Sequence, residues 1–352
     1  MKLSTRLVVP LGLCAALALA GCSSDASSKE QSGESEASAT SDGTGGLCDA
    51  TVIEGAQSVD FSEEDLEGTQ AALGEMTLSS DVSAAPTLTY EAPLAITAES
   101  VRVVDEGDGD AITEGQVITF NYMVCDPVTG EKAFSTWGET SDQDVPAAFV
   151  LSVANFGDAL VDALDGQSVG TRLLWGQPGY SAEESYTGTA SNGYVYVLNV
   201  TGATAIPDSA SGKEVKPTDE SLPEIGFEGG VPAVTIPATF ADPTDLVVEP
   251  LIEGDGEEVK TGDTIAVKYS GWLTDGTLFD SSWGDDGTGE PAVFQIGVSQ
   301  VIEGWDEGLV GQKVGSRVLL VIPSDMAYGE NDSGTIPGNS TLIFVVDILA
   351  AF

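Results

Sequence analysis

Histidine is absent from all 352 residues, which removes imidazole-based catalytic triads and imidazole metal sites from consideration. Positive charge is scarce: 12 Lys and Arg stand against 57 Asp and Glu, a net charge of −45. Nucleic acid is bound through basic surfaces that neutralise phosphate, so no nucleic acid is expected as a partner. Cysteine occurs only as Cys14, Cys22, Cys48 and Cys125, without the paired spacing of a zinc site. With neither histidine nor clustered cysteine, no metal and no other cofactor is expected. The apolar run from Leu7 to Ala20 is too short to cross a membrane.

What is present begins at the N-terminus. Lys2 and Arg6 precede the apolar run, which ends in Leu19-Ala20-Gly21-Cys22. This arrangement resembles the signal and lipobox of bacterial lipoproteins. The resemblance implies removal of residues 1–21, lipid on Cys22, and attachment to the cell membrane on its outer side. Cys14 would leave with the signal. Residues 22–47 are mostly Ser, Ala, Gly, Asp and Glu; they offer too little apolar surface to offset ordering, so they are expected to form a disordered tether. An exported compartment permits Cys48 and Cys125 to pair, and both the paired and the free state remain open at this point.

The rest of the chain matches itself. Glu106-Gly-Asp-Gly recurs at Glu253, Tyr122 at Tyr269, Phe134 at Phe279 and Phe149 at Phe294. Gly166-Gln-Ser-Val-Gly-Thr-Arg172 recurs as Gly311-Gln-Lys-Val-Gly-Ser-Arg317. So steady an offset points to two related domains, taken as 48–203 and 232–352. Pro207, Pro217 and Pro223, among acidic residues, mark 204–231 as an exposed linker. In the second domain Thr264–Trp272, Val318–Ile322 and Leu342–Leu349 read as strands, with a turn at Asp275-Gly276. Glu303–Val310 is the one helical segment there. An α+β fold follows, with each domain an antiparallel sheet wrapped around a short helix.

Four ordered blocks in the second domain carry a more specific signal. They are Tyr269-Ser-Gly-Trp-Leu-Thr-Asp-Gly-Thr-Leu-Phe279-Asp280-Ser-Ser, Gln300-Val-Ile-Glu-Gly-Trp305, Ile322-Pro-Ser-Asp-Met-Ala-Tyr328-Gly, and Ile336-Pro-Gly-Asn-Ser-Thr-Leu-Ile-Phe344. Together they resemble the FKBP-type peptidyl-prolyl cis-trans isomerases. That resemblance implies rotation about X-Pro bonds in a pocket formed by Tyr269, Phe279, Val301, Ile302, Trp305 and Phe344, with Trp305 as its floor. It assigns substrate-carbonyl donors to the Tyr328 hydroxyl and the Ile302 main-chain N–H. Asp280 would stand beside the reacting bond and Ile336 on the loop above it. Ala292 and the Asp332 loop depart from the family pattern at the rim, which bears on binding of macrolide inhibitors more than on the reaction.

The first domain lacks most of this set. Leu160 aligns with Trp305 and Gly157 with Ile302, Asp280 falls in a gap beside Ser135, and no Ala-Tyr-Gly matches Tyr328. It is therefore expected to be a degenerate domain without catalysis. The resemblance implies an isomerase that assists folding of exported proteins outside the cytoplasm, with partly folded chains bearing X-Pro bonds as partners. The alternative is a non-catalytic holdase or scaffold that only grips such segments.

Overall fold

A computed structural model describes residues 46–53, 61, 64–82, 84–138, 146–180, 191–217, 219–284 and 286–352. The signal, Cys22 and nearly all of the tether lie outside the described residues. The chain divides into two compact units, whose described parts are 46–205 and 206–352.

The first unit opens with β1 (Leu47–Val52), α1 (Leu66–Glu75), β2 (Thr77–Leu78) and β3 (Thr87–Ala92). Asp65 caps α1 by accepting the Gly68 N–H at 2.9 Å. The three strands form a small sheet ordered β1-β3-β2. There follow β4 (Ser100–Asp105), β5 (Val117–Cys125), β6 (Lys132–Ser135), β7 (Ala147–Val150), α2 (Val153–Phe156), α3 (Asp158–Leu164), β8 (Arg172–Gln177) and β9 (Tyr194–Thr204). These strands make an antiparallel sheet ordered β4-β8-β9-β5-β6, with β7 also on β5.

The second unit holds β10 (Gly212–Glu214), β11 (Glu224–Glu228), β12 (Val231–Thr235), β13 (Val247–Gly254), β14 (Thr264–Leu273), β15 (Leu278–Ser281), β16 (Ala292–Gln295), α4 (Glu303–Leu309), β17 (Arg317–Ile322) and β18 (Leu342–Ala351). Its main sheet runs β13-β17-β18-β14-β15 with β16 on β14, the same strand order as the first unit. Both units are α+β, with mainly antiparallel sheets and few helices.

The stretch 204–231 is not an open linker. β10 pairs with β13, and β11 forms a hairpin with β12. Leu222, Ile225, Val231, Val234, Ile236 and Phe240 pack on Trp272, Trp283, Leu319, Val321, Ile343 and Val345. The cause lies in β17 and β18, which are apolar on both faces. Leu320 and Phe344 point to the inner core while Leu319 and Ile343 point to the outer one, and a two-sided apolar sheet requires cover on both sides. Arg317 fastens this cover. It donates to the Asp347 carboxylate, itself wholly buried, at 2.6 and 2.7 Å, and its guanidinium lies 4.0 Å from the Phe227 ring centre. Asp347 also accepts the Ala210 N–H at 2.7 Å. Composition misleads here because Pro207, Pro217 and Pro223 fall just outside the strands, while Glu214, Glu224 and Glu228 are strand residues whose apolar neighbours do the packing.

Deleting 206–235 should therefore destabilise the second unit by about 4 kcal/mol or more, since several large side chains become wetted. A drop of at least about 10 °C in Tm, followed by calorimetry, is expected for a unit of this size. An unchanged Tm would show that the hairpin adds nothing to the outer core.

In the first unit the N-terminal elements cover the corresponding face. α1, β2 and β3 supply Ala72, Leu73, Met76, Leu78, Leu88 and Tyr90 to a core with Met123, Cys125, Trp137, Leu174, Val195 and Val197. Cys48 of β1 is disulfide-bonded to Cys125 of β5, with 77 residues of separation. Cys125 holds the register position that Trp272 holds in β14. A covalent link from the covering sheet thus stands where the second unit buries an indole. Closing a loop of this length stabilises by about 4 kcal/mol in the chain-entropy view.

Candidate active site

The second unit gathers all nine residues singled out in its sequence. Tyr269, Val301, Ile302, Trp305, Ile336 and Phe344 are buried members of one core cluster, and Phe279 and Tyr328 pack against it partly exposed. Asp280 joins them through its carboxylate, which accepts the Tyr269 hydroxyl at 2.5 Å.

Local structure places each group. β14 carries Tyr269 on its inner face, and the tight turn at Asp275-Gly276 returns the chain as β15, bringing Phe279 and Asp280 alongside. Here Gly271 has a steric reason. A Cβ at that position would lie 2.6 Å from the Phe279 ring and 2.7 Å from the Phe344 ring. Its absence lets those rings meet edge to face at 5.5 Å. Beyond β15, Tyr269 N–H donates to Ser282 Oγ at 2.9 Å and Ser282 N–H to the Tyr269 carbonyl at 2.9 Å, which pins Asp280 beside the tyrosine.

Trp305 is the centre of the cluster. It rises from α4 with no exposed surface. Tyr269 stands edge-on to it at 5.2 Å, Phe344 at 5.4 Å and Phe294 at 5.4 Å. Perpendicular packing sets the positive ring edges against negative faces and holds the indole rigidly. Phe294 thus belongs to the same wall. The period of two in β16 puts Ala292 and Phe294 on one face of the sheet, where both pack on the inner core.

Two buried side-chain atoms have no hydrogen-bond partner among the described residues: Trp305 Nε1 and the Tyr328 hydroxyl. Buried polar groups are normally satisfied, so unpaired ones call for an explanation. Burial first, and then the charge of Asp280, raises the Tyr328 hydroxyl well above its ordinary pKa of 10.0. The Tyr269 hydroxyl is raised further still, by burial first and then by its bond to Asp280. Both phenols therefore keep their protons across neutral pH and serve as donors. Each contributes stability in full below pH 10, which is lost as pH climbs through the raised folded value.

The same places in the first unit hold different residues. The β5–β6 register puts Phe134 opposite Val124, as Asp280 lies opposite Gly271. Phe134 therefore replaces Asp280, and Ala133 stands where Phe279 does. The sequence pairing of Phe134 with Phe279 was one residue out, and no gap exists at Asp280. Matching hydrogen bonds fix this: Tyr122 N–H to Thr136 Oγ1 at 2.8 Å corresponds to the Tyr269–Ser282 bond. Leu160 holds the place of Trp305, and Phe156 that of Val301. Trp175 and Tyr196 face each other across β8 and β9 as Leu320 and Phe344 do across β17 and β18. Rings of Phe156, Trp175 and Tyr196 pack in series at 6.4 and 5.1 Å. All three are nearly fully buried. Large side chains thus fill the region that is the aromatic pocket in the second unit. Tyr180, near the place of Tyr328, is 37% exposed and bridges to Ser191.

Residues 255–349 match the family model of the FKBP-type peptidyl-prolyl cis-trans isomerase domain. The chain is 42% identical over 131 residues to an FK506-binding protein of Streptomyces anulatus, covering 36% of this chain and 95% of that protein. It is 46% identical over 108 residues to an FK506-binding protein of Neisseria meningitidis serogroup B, covering 30% and 96%. Among solved structures it resembles FkpA from Escherichia coli, with 42% identity, 31% of this chain and 48% of that one covered, and a TM-score of 0.28.

Proposed function

The chain belongs to the FKBP-type peptidyl-prolyl cis-trans isomerases, and from that membership we propose that its second unit is an isomerase working on exported proteins outside the cytoplasm, held to the membrane by lipid on Cys22. Prolyl rotation faces a barrier of about 18–20 kcal/mol, because resonance flattens the amide. No nucleophile or proton transfer is required. A catalyst need only bind the twisted amide better than the planar forms.

The cluster around Trp305 suits that task. Its apolar walls receive a proline ring over the indole. The Tyr328 hydroxyl and the Ile302 N–H accept the role of donors to substrate carbonyls, and Asp280 supplies a fixed charge beside the bond. The observation that carries this reading is the buried Tyr328 hydroxyl, a donor held ready with no acceptor among the described residues. A pocket of this kind also fits macrolide inhibitors, with Ala292 and the loop at Asp332 shaping the rim. Exported chains emerge unfolded, and slow prolyl steps leave them exposed to aggregation. This supports a folding role and makes chains with X-Pro bonds the partners.

A protease-coupled assay on a Leu-Pro peptide tests the activity. With the two phenols raised in pKa and no histidine in the chain, kcat/KM should stay nearly flat between about pH 6 and 8, the span in which an unperturbed imidazole would titrate. Tyr328→Phe should lower it by about 1–2 kcal/mol, the scale of one hydrogen bond. A sharp bell-shaped profile would instead point to acid–base chemistry and discard the twisted-amide mechanism. Gripping of Pro-containing peptide without any acceleration would favour the holdase reading.

A further inference from the structure

The segment preceding the short helix has equal length in the two units but takes two conformations. α3 and α4 begin at Asp158 and Glu303, so residues 152–157 correspond to 297–302. In the first unit this segment closes into the turn α2. Asn155 and Phe156 N–H groups donate to the Ser152 carbonyl at 3.1 and 3.0 Å, and the Gly157 N–H donates to Val153 at 2.9 Å. In the second unit it is an open loop without a helical turn. Gly297 there has φ 79° and Ser299 φ 63°, the latter a conformation that a residue with a side chain adopts only under constraint.

The constraint is Asp306. Its Oδ1 accepts the Gly297 N–H at 2.7 Å and its Oδ2 the Ser299 N–H at 2.7 Å. At the same helix position the first unit has Val161, whose side chain offers no acceptor. Main-chain N–H groups near the core must be satisfied. Where the carboxylate is missing, the segment turns back on its own carbonyls and becomes helical. That choice decides the fate of one donor. The Gly157 N–H is consumed within α2, whereas its counterpart, the Ile302 N–H, meets no acceptor among the described residues.

We infer that Asp306 is a positioning residue for isomerisation: it holds 297–301 open and so keeps the Ile302 N–H free for a substrate carbonyl. This rests on the proposed role of the Ile302 donor and adds the device that preserves it. Asp306 need not touch substrate.

The test uses the full chain with Asp306→Val, Asp306→Asn and Asp306→Glu. Asp306→Val should lower kcat/KM about tenfold or more, the scale on which mispositioning of a site group acts. Asp306→Asn, which keeps the shape but loses one acceptor, should fall between, and Asp306→Glu should restore much of the activity. Hydrogen exchange of the Ile302 amide, read by 15N NMR, separates positioning from general loosening. That amide should exchange fast in the wild type and become protected in Asp306→Val, as the loop turns helical. Loss of activity with faster exchange throughout the unit, or full activity in Asp306→Val, overturns the inference. An inactive wild type that still shows the exchange contrast would reject the isomerase reading while leaving the loop device standing.

Discussion

A fragment of residues 206–352 is expected to isomerise a Leu-Pro or Phe-Pro peptide as fast as the whole chain, and a fragment of 46–205 to leave it at the uncatalysed rate. Uncatalysed exchange takes tens to hundreds of seconds, so the contrast is easily read in a protease-coupled assay. The reason is structural replacement within a shared strand order. The first unit has Phe134 where the second has Asp280, and Leu160 where it has Trp305. Its interior is filled by Phe156, Trp175 and Tyr196, leaving no room for a proline ring. The boundary at 206 also matters: a fragment starting at 232 would lose β11 and the first residue of β12 and uncover Trp272 and Trp283. Comparable turnover by the 46–205 fragment would overturn the division of labour.

Trp305→Ala should all but abolish activity. Truncating a buried tryptophan commonly costs about 3–5 kcal/mol, and a loss of about 3 kcal/mol in transition-state binding is roughly a hundredfold in rate. Because Tyr269, Phe294 and Phe344 all lean on this indole, the variant also risks a looser fold. Trp305→Leu guards against that ambiguity, since Leu160 occupies the same place in a packed core in the first unit. It should keep cooperative unfolding by calorimetry while kcat/KM falls about tenfold or more, an intermediate loss for a floor that is smaller but still apolar. A folded Trp305→Leu protein with wild-type turnover would show that the indole is packing and not pocket.

Much of this site is legible along the chain because its residues fall into short blocks, each on one element. Phe279-Asp280 follows a hairpin turn, and Trp305 lies in a seven-residue helix flanked by a loop and a turn. Local pattern places such groups well. The errors arose where register decides. A shift of one residue in a strand exchanges its faces, and the pairing of Phe134 with Phe279 failed for that reason: the turn between Cys125 and Lys132 is one residue longer than that between Trp272 and Leu278, and only the strand register shows it.

By itself the amino-acid sequence determined the α+β class, through strand periodicity, and, through the resemblance of its four compact motifs, the family and the list of apolar and polar groups available to the site. It also excluded imidazole chemistry outright. Only the tertiary structure decided that 206–235 is a cover and not a linker, because that depends on β17 and β18 being apolar on both faces and on Arg317 reaching Phe227 and Asp347. Only there does Asp306, one carboxylate among 57 acids, stand apart from the rest. Its two bonds to Gly297 and Ser299 form between groups that the folded loop brings together, and the strength of such contacts is set by distance in space.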